Sequence, residues 1–103
     1  MWAQLIRMRV RPGKEEEMES LFKQLQAIEQ PGSGLLRTTA MRNQKDPSQL
    51  YMMVVFESEE KARARERDPR RQQALQGINA MMAEVFEGPP EFVDLEVMEE
   101  AVS

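Results

Sequence analysis

Seven consecutive residues, Leu50-Tyr51-Met52-Met53-Val54-Val55-Phe56, run without a charge or a breaker. A strand sends successive side chains to opposite faces, so this run is apolar front and back and belongs in the middle of a sheet covered on both sides. A chain of 103 residues has room for one domain and one core. What shields the second face is therefore the question the rest of the sequence has to answer.

The flanking segments supply the remaining elements. Trp2 to Arg11 alternates, with Ile6, Met8 and Val10 opposed to Arg7, Arg9 and Arg11, which is the period of a strand with one buried face. Pro12-Gly13 breaks it. Lys14 to Glu29 follows as a helix, with Met18, Leu21, Phe22, Leu25 and Ile28 on one stripe and Glu15, Glu16 and Glu17 in the dipole-favoured first turn. Pro31-Gly32-Ser33-Gly34 closes that helix, Leu35 to Asn43 reads as a second strand, and Asn43 to Ser48 as a hairpin loop. After the apolar run, Ser58 can cap a short surface helix from Glu59 to about Arg67. Asp68-Pro69 then restarts a longer one carrying Ala74, Leu75, Ile78, Met81, Met82 and Val85. Gly88-Pro89-Pro90 ends it, and Phe92 to Met98 alternates as a last strand.

The order βαββαβ, with the second helix broken in two, predicts an α+β, ferredoxin-like domain over residues 1–103 with a four-stranded antiparallel sheet. First and last strands are neighbours in that topology, so Arg7 and Arg9 are expected to face Asp94 and Glu96. The same register gathers Ile6, Met8, Val93, Leu95 and Val97 under the helices. Two amphipathic helices cover only one face of the sheet. The other keeps one set of the central strand's apolar residues, to which Leu5, Met41, Phe92 and Trp2 can add. A bare patch of that size usually marks an interface, and a second copy packed sheet to sheet is the economical cover.

Composition removes several function classes. There is no cysteine and no histidine, so disulfides, thiolate or imidazole metal ligands, a histidine triad and a proximal haem histidine are all excluded. With 14 Lys+Arg against 18 Asp+Glu the net charge is −4, which argues against a general nucleic-acid binder. No long apolar segment and no signal-peptide pattern is present, so a cytoplasmic protein without membrane contact is expected. A basic run, Lys61, Arg63, Arg65, Arg67, Arg70 and Arg71, carries a local +4 once Glu66 and Asp68 are subtracted (6 − 2). It has no interleaved aromatics, so pairing with the acidic stretch Glu84 to Glu100 explains it better than RNA does.

Val10-Arg11-Pro12-Gly13-Lys14-Glu15-Glu16-Glu17, then Pro31-Gly32, then Val54-Val55-Phe56-Glu57-Ser58-Glu59-Glu60 resemble, in order and spacing, the antibiotic biosynthesis monooxygenase (ABM) family. The resemblance runs over nearly the whole chain. It implies a dimeric α/β barrel and a pocket between sheet and helices. Some members of that family oxygenate quinols or polyketide aromatics without a cofactor, and others degrade haem. This chain has Phe56 where the family often carries Trp, Arg65 where a His is common, and Ile6 where haem-degrading members use Asn. Haem degradation is disfavoured accordingly, and no cofactor or metal is expected. Oxygenation of a quinol or polyketide needs mainly substrate deprotonation and a dry, shaped pocket.

Candidate site residues follow. Tyr51 and Arg65 are the catalytic candidates: Tyr51 as a phenolic donor, Arg65 as a cation that lowers the pKa of a substrate phenol. Phe22, Met52, Phe56, Asn79 and Met82 are the binding candidates, with methionine suited to an adaptable apolar wall. Core periodicity explains every methionine position without a ligand, solvent exposure explains Arg65 and Asn79, and a strand or interface role explains Tyr51. Two functions remain open: an ABM-like protein binding a small aromatic or quinone-like molecule, as a cofactor-independent monooxygenase, or a non-catalytic dimeric binding or stress-response module.

Overall fold

The uninterrupted apolar run forms β3 (Gln49–Phe56), an inner strand, in a computed structural model that describes residues 1–103. It is flanked by β1 (Trp2–Arg9) and β2 (Leu35–Arg42), and β4 (Glu91–Glu96) completes the sheet beyond β1. The order β2-β3-β1-β4 with every pair antiparallel is the ferredoxin-like arrangement. Helices α1 (Glu15–Ala27), α2 (Glu59–Glu66) and α3 (Pro69–Val85) lie on one face. The predicted caps form: the Ser58 hydroxyl accepts from the Lys61 N–H, and the Asp68 carboxylate accepts from the Arg70 N–H ahead of Pro69.

The even residues of β3 and β1 face the helices. They build two packed groups rather than one. Val10, Met18, Leu21, Leu50, Ile78 and Val85 fill the space under α1 and α3, with Met8, Phe22, Met81 and Met82 around them. Trp2, Val54, Phe56 and Ala62 form a second group under α2, bordered by Ile6, Leu35 and Met52. Although α2 has few apolar residues, Ala62 is buried against Trp2 and Phe56, so this helix is seated on the sheet rather than lying free at the surface.

The register of β4 corrects the sequence expectation. Gln4 stands opposite Asp94, Ile6 opposite Phe92, and Arg7 opposite Glu91, which it bonds at 3.0 Å. Arg9 reaches Asp46 and Ser48 instead. Val93 and Leu95 therefore share a face with Leu5, away from the helices, while Asp94 and Phe92 point to the helix side. With this parity Asp94 meets polar partners on the helix side: Arg63 of α2 lies 5.0 Å over the Trp2 ring and donates to Asp94 at 2.8 Å, and Gln4 adds a bond of 2.9 Å. The helix layer does not extend over β4, and Phe92 stays 56% exposed.

The face without helices carries Leu5, Tyr51, Met53 and Val93 half-buried, with Met41 and Leu95 exposed at its margins. After β4 the chain crosses one end of the sheet. The Val97 N–H donates to the Met1 carbonyl, and Glu100 then pairs with Arg37 of β2. Arg37 shares a row with Val55 and Ala3, and both of these are buried.

Candidate functional site

Seating Ala62 on the sheet fixes what the rest of α2 presents. Three residues on, Arg65 comes to lie over the Phe56 ring, 5.3 Å from its centroid, a cation–π distance. The chain leaving α1 brings Glu29, two residues past its end, to the same point. The Arg65 Nε donates to both Glu29 oxygens at 3.0 and 3.1 Å, and Nη2 donates at 2.6 Å. Such a fork fixes both side chains. A second arginine, Arg71 of α3, stands 3.7 Å from the same carboxylate. Burial pushes the Glu29 carboxyl up, but hydrogen bonds from Arg65 and Ser33 and the charges of Arg65 and Arg71 outweigh it, leaving the group below its ordinary value. Arg71 is lowered as well, first by burial and then by the charge of Arg65, with Glu29 opposing, and for a guanidinium this disfavours the charged form.

These three charges line a cleft of about 160 Å³ between the turn Ile28–Ser33, the end of α2 and the start of α3. The turn approaches α2 closely. A Cβ on Gly34 would stand 2.6 Å from the Lys61 side chain, and Gly34 has φ +86°, so glycine is required twice over. A second, more open depression of about 300 Å³ is lined by Gln4, Arg63, Glu66, Phe92 and Asp94.

The sequence candidates are only partly gathered. Phe22 and Met82 border the packed group under α1 and α3, whereas Met52 and Phe56 belong to the group under α2. They belong to two separate groups, and of the four only Phe56 is in contact with Arg65. Neither of the two clefts is lined by Phe22, Met52, Phe56 or Met82. Tyr51 lies on the opposite face, between Arg7 and Met41. Asn79 is exposed on α3, beside buried Ile78. Of the basic run, only Arg63 pairs with the acidic C-terminal stretch; Arg65 and Arg71 turn to Glu29, and Arg70 to Asp68.

Glu29 was not singled out by sequence reasoning and Arg71 only as a member of the basic run, yet a signal existed. Glu29 follows Phe22 and Leu25 at intervals of seven and four, and Arg71 precedes Ala74, Leu75 and Ile78 at three, four and seven. Each charge occupies a position of its helix's apolar stripe, where an ionised group persists only with a partner.

The sequence pattern of the antibiotic biosynthesis monooxygenase family matches residues 1–77. The chain belongs to that family. ABM-type folds also dominate its structural likenesses, all at low identity. A mutant of MhuD, crystallised with two manganese protoporphyrin IX molecules per active site, superposes with TM-score 0.82 at 19% identity over 100% of both chains. A mutant of SnoaB, a cofactor-independent oxygenase from Streptomyces nogalater, gives 0.72 at 18% identity over 96% of this chain and 94% of its own. A conserved protein from Methanosarcina mazei gives 0.70 at 16% over 92% and 91%. No curated protein sequence matches this ABM chain. No helix in it is long and apolar enough to cross a membrane. A haem iron would not find an imidazole or thiolate here, since the chain has neither histidine nor cysteine.

Proposed function

We propose that this ABM-family protein binds a small aromatic or quinone-like molecule in the seam between its two packed groups. Phe22, Met52, Phe56 and Met82 form the walls, and Arg65 holds an acidic oxygen of the ligand. The observation that carries this reading is the division of the core. The larger group has half-buried Phe22 and Met82 at its border and the smaller has half-buried Met52, and thioethers between two such groups can part around a flat ring at little cost. Arg65 stands with its charge aimed across Phe56. An arginine there favours the ionised form of a phenol. A phenolate so held is electron-rich enough to reduce O2 itself, which is why no flavin or metal is invoked.

A second reading is favoured by a specific contact. Arg65 is already neutralised by Glu29 through three hydrogen bonds. Left so, it would hold ligand without activating it, and the protein would be a non-catalytic binding module. Oxygen uptake separates the two. Wild type and Arg65→Ala are given a panel of naphthohydroquinones and anthrone-type phenols, with no flavin or metal added, alongside quenching of the single tryptophan, Trp2. Uptake that falls at least tenfold in Arg65→Ala supports oxygenation. Quenching without uptake supports the module. Neither signal with any compound overturns the seam as a binding site.

We further propose that a second copy covers the helix-free face. Its centre is apolar, with Leu5, Tyr51, Met53 and Val93, and charged pairs such as Arg7–Glu91 lie at its end. An apolar centre with a polar rim is the anatomy of a stable interface.

A further inference from the structure

The cleft beside Arg65 is a better anion site than its salt bridges suggest. Four cationic side chains line it, Lys61, Arg65, Arg70 and Arg71, against two carboxylates, Glu29 and Asp68, an excess of +2 (4 − 2). The carboxylates are already engaged. Asp68 receives the backbone N–H, Nε and Nη2 of Arg70 at 2.8–3.2 Å. Glu29 receives the fork of Arg65. Arg71 is left over. Its Nη1 is buried, makes no hydrogen bond, and is beyond bonding distance of Glu29 at 3.7 Å. Only 15% of the Arg71 side chain is exposed. A buried guanidinium N–H is rarely left unsatisfied, because water has been removed and nothing has replaced it. Burial first and then the charge of Arg65 oppose the cation at Arg71, and the Glu29 charge at 3.7 Å offsets them only in part.

We propose that this cleft binds a small oxyanion, the carboxylate or phosphate group of a small molecule, with the Arg71 guanidinium as its central donor once its buried, unpartnered Nη1 turns to the anion. Guanidinium matches both groups through short, charge-assisted bonds. Lys61 and Arg70 stand at the rim, both at least half exposed, and can turn towards the anion from their present partners Glu57 and Asp68. A cleft of about 160 Å³ admits one such group and not a polymer. The site uses Arg71 rather than the seam, so it does not depend on the aromatic reading. A ligand with both an aromatic ring and an acidic group could use both, because Arg65 forms the wall between them.

The test is thermal unfolding in sodium phosphate, sodium acetate and sodium chloride at matched ionic strength, for wild type, Arg71→Gln and Arg71→Lys. Wild type is expected to melt about 5 °C higher in phosphate or acetate than in chloride once the anion reaches roughly ten times its dissociation constant. Phosphate alone raising the melting point assigns a phosphoryl group; acetate raising it as well assigns a carboxylate. Arg71→Gln should lose the increment and Arg71→Lys should keep only a fraction, since a point charge lacks the fork. A second readout is independent of folding: the Arg71 side-chain NMR resonance of wild type should move on phosphate titration. Equal melting in all three salts, an undiminished increment in Arg71→Gln, or an unmoved Arg71 resonance overturns the proposal. None of these outcomes bears on naphthohydroquinone binding in the seam, so the two readings fail separately.

Discussion

Tyr51 and Arg65 stand on opposite faces of one sheet: Tyr51 between Arg7 and Met41 on the bare side, Arg65 against Phe56 beneath α2. Within one protomer they do not meet the same molecule. Their substitutions should therefore move different measurements. Tyr51→Asp places a charge in the middle of the bare face and should reduce the particle, read by sedimentation velocity, from twice the 12.0 kDa chain mass to that of one chain. Arg65→Ala should leave the dimer mass in place and lower ligand affinity about tenfold or more. A 12.0 kDa wild-type particle at micromolar concentration would remove the dimer.

The Glu29–Arg65 pair makes stability depend on pH with a definite sign. The Glu29 carboxyl sits below its ordinary value of 4.5 in the folded protein, so folding favours its ionised form. Its contribution is complete above that ordinary value and is lost as pH falls through the lower, folded one. Urea midpoints taken from pH 7 to pH 3 should fall more gently for Glu29→Gln than for wild type, with the difference confined to the acid end. Asp46, Asp68 and Asp94 are lowered too, by hydrogen bonds from Ser48, Arg70 and Gln4 first, so some acid sensitivity should persist in the variant. A wild-type-like acid slope in Glu29→Gln would contradict this.

How far the sequence could be read depends on which force decided each feature. Periodicity decided the elements, and their order was legible: the caps at Ser58 and Asp68, the stripe of α1 and the two-sided β3 are local properties. The β1–β4 register was not, because alternation in β4 is satisfied by either parity. The observed parity lets Asp94 meet Arg63, which comes from a different element and approaches it only in three dimensions. The candidate site was half legible for the same reason. Phe22, Met52, Phe56 and Met82 were found by their stripes, whereas Glu29 and Arg71 pair across two helices and reveal themselves only as charges in apolar positions.

Packing in the larger group gives a magnitude. Leu21 is fully buried among Met18, Leu50, Ile78 and Val85, on the helix that leads into Glu29. Leu21→Ala should cost about 2–5 kcal/mol, a large part of the roughly 5–10 kcal/mol expected of a domain this size. Leu36→Ala, at a half-exposed position in the β2 bulge, should cost under about 1 kcal/mol. Equal urea midpoints for the two would show that the group under α1 and α3 is not the principal core.

If a second copy covers the helix-free face as proposed, the C-terminal segment should compete with it. Glu100 pairs with Arg37 at the end of the row Arg37–Val55–Ala3, so residues after Glu96 occupy part of the surface a partner would cover. Both members of the pair are substantially exposed, and exposed ion pairs contribute about 0–1 kcal/mol. Met98 and Val102, nearly fully exposed, add no packing that would hold the segment down. Displacing it should therefore be cheap, and removing it should help association only slightly. A chain ending at Glu96 is expected to dimerise with a dissociation constant lower than wild type by at most about fivefold, the equivalent of 1 kcal/mol. Sedimentation equilibrium measures this directly. If truncation weakened the dimer instead, the segment would be part of the interface, and Met98 and Val102 would be the side chains it contributes to the partner.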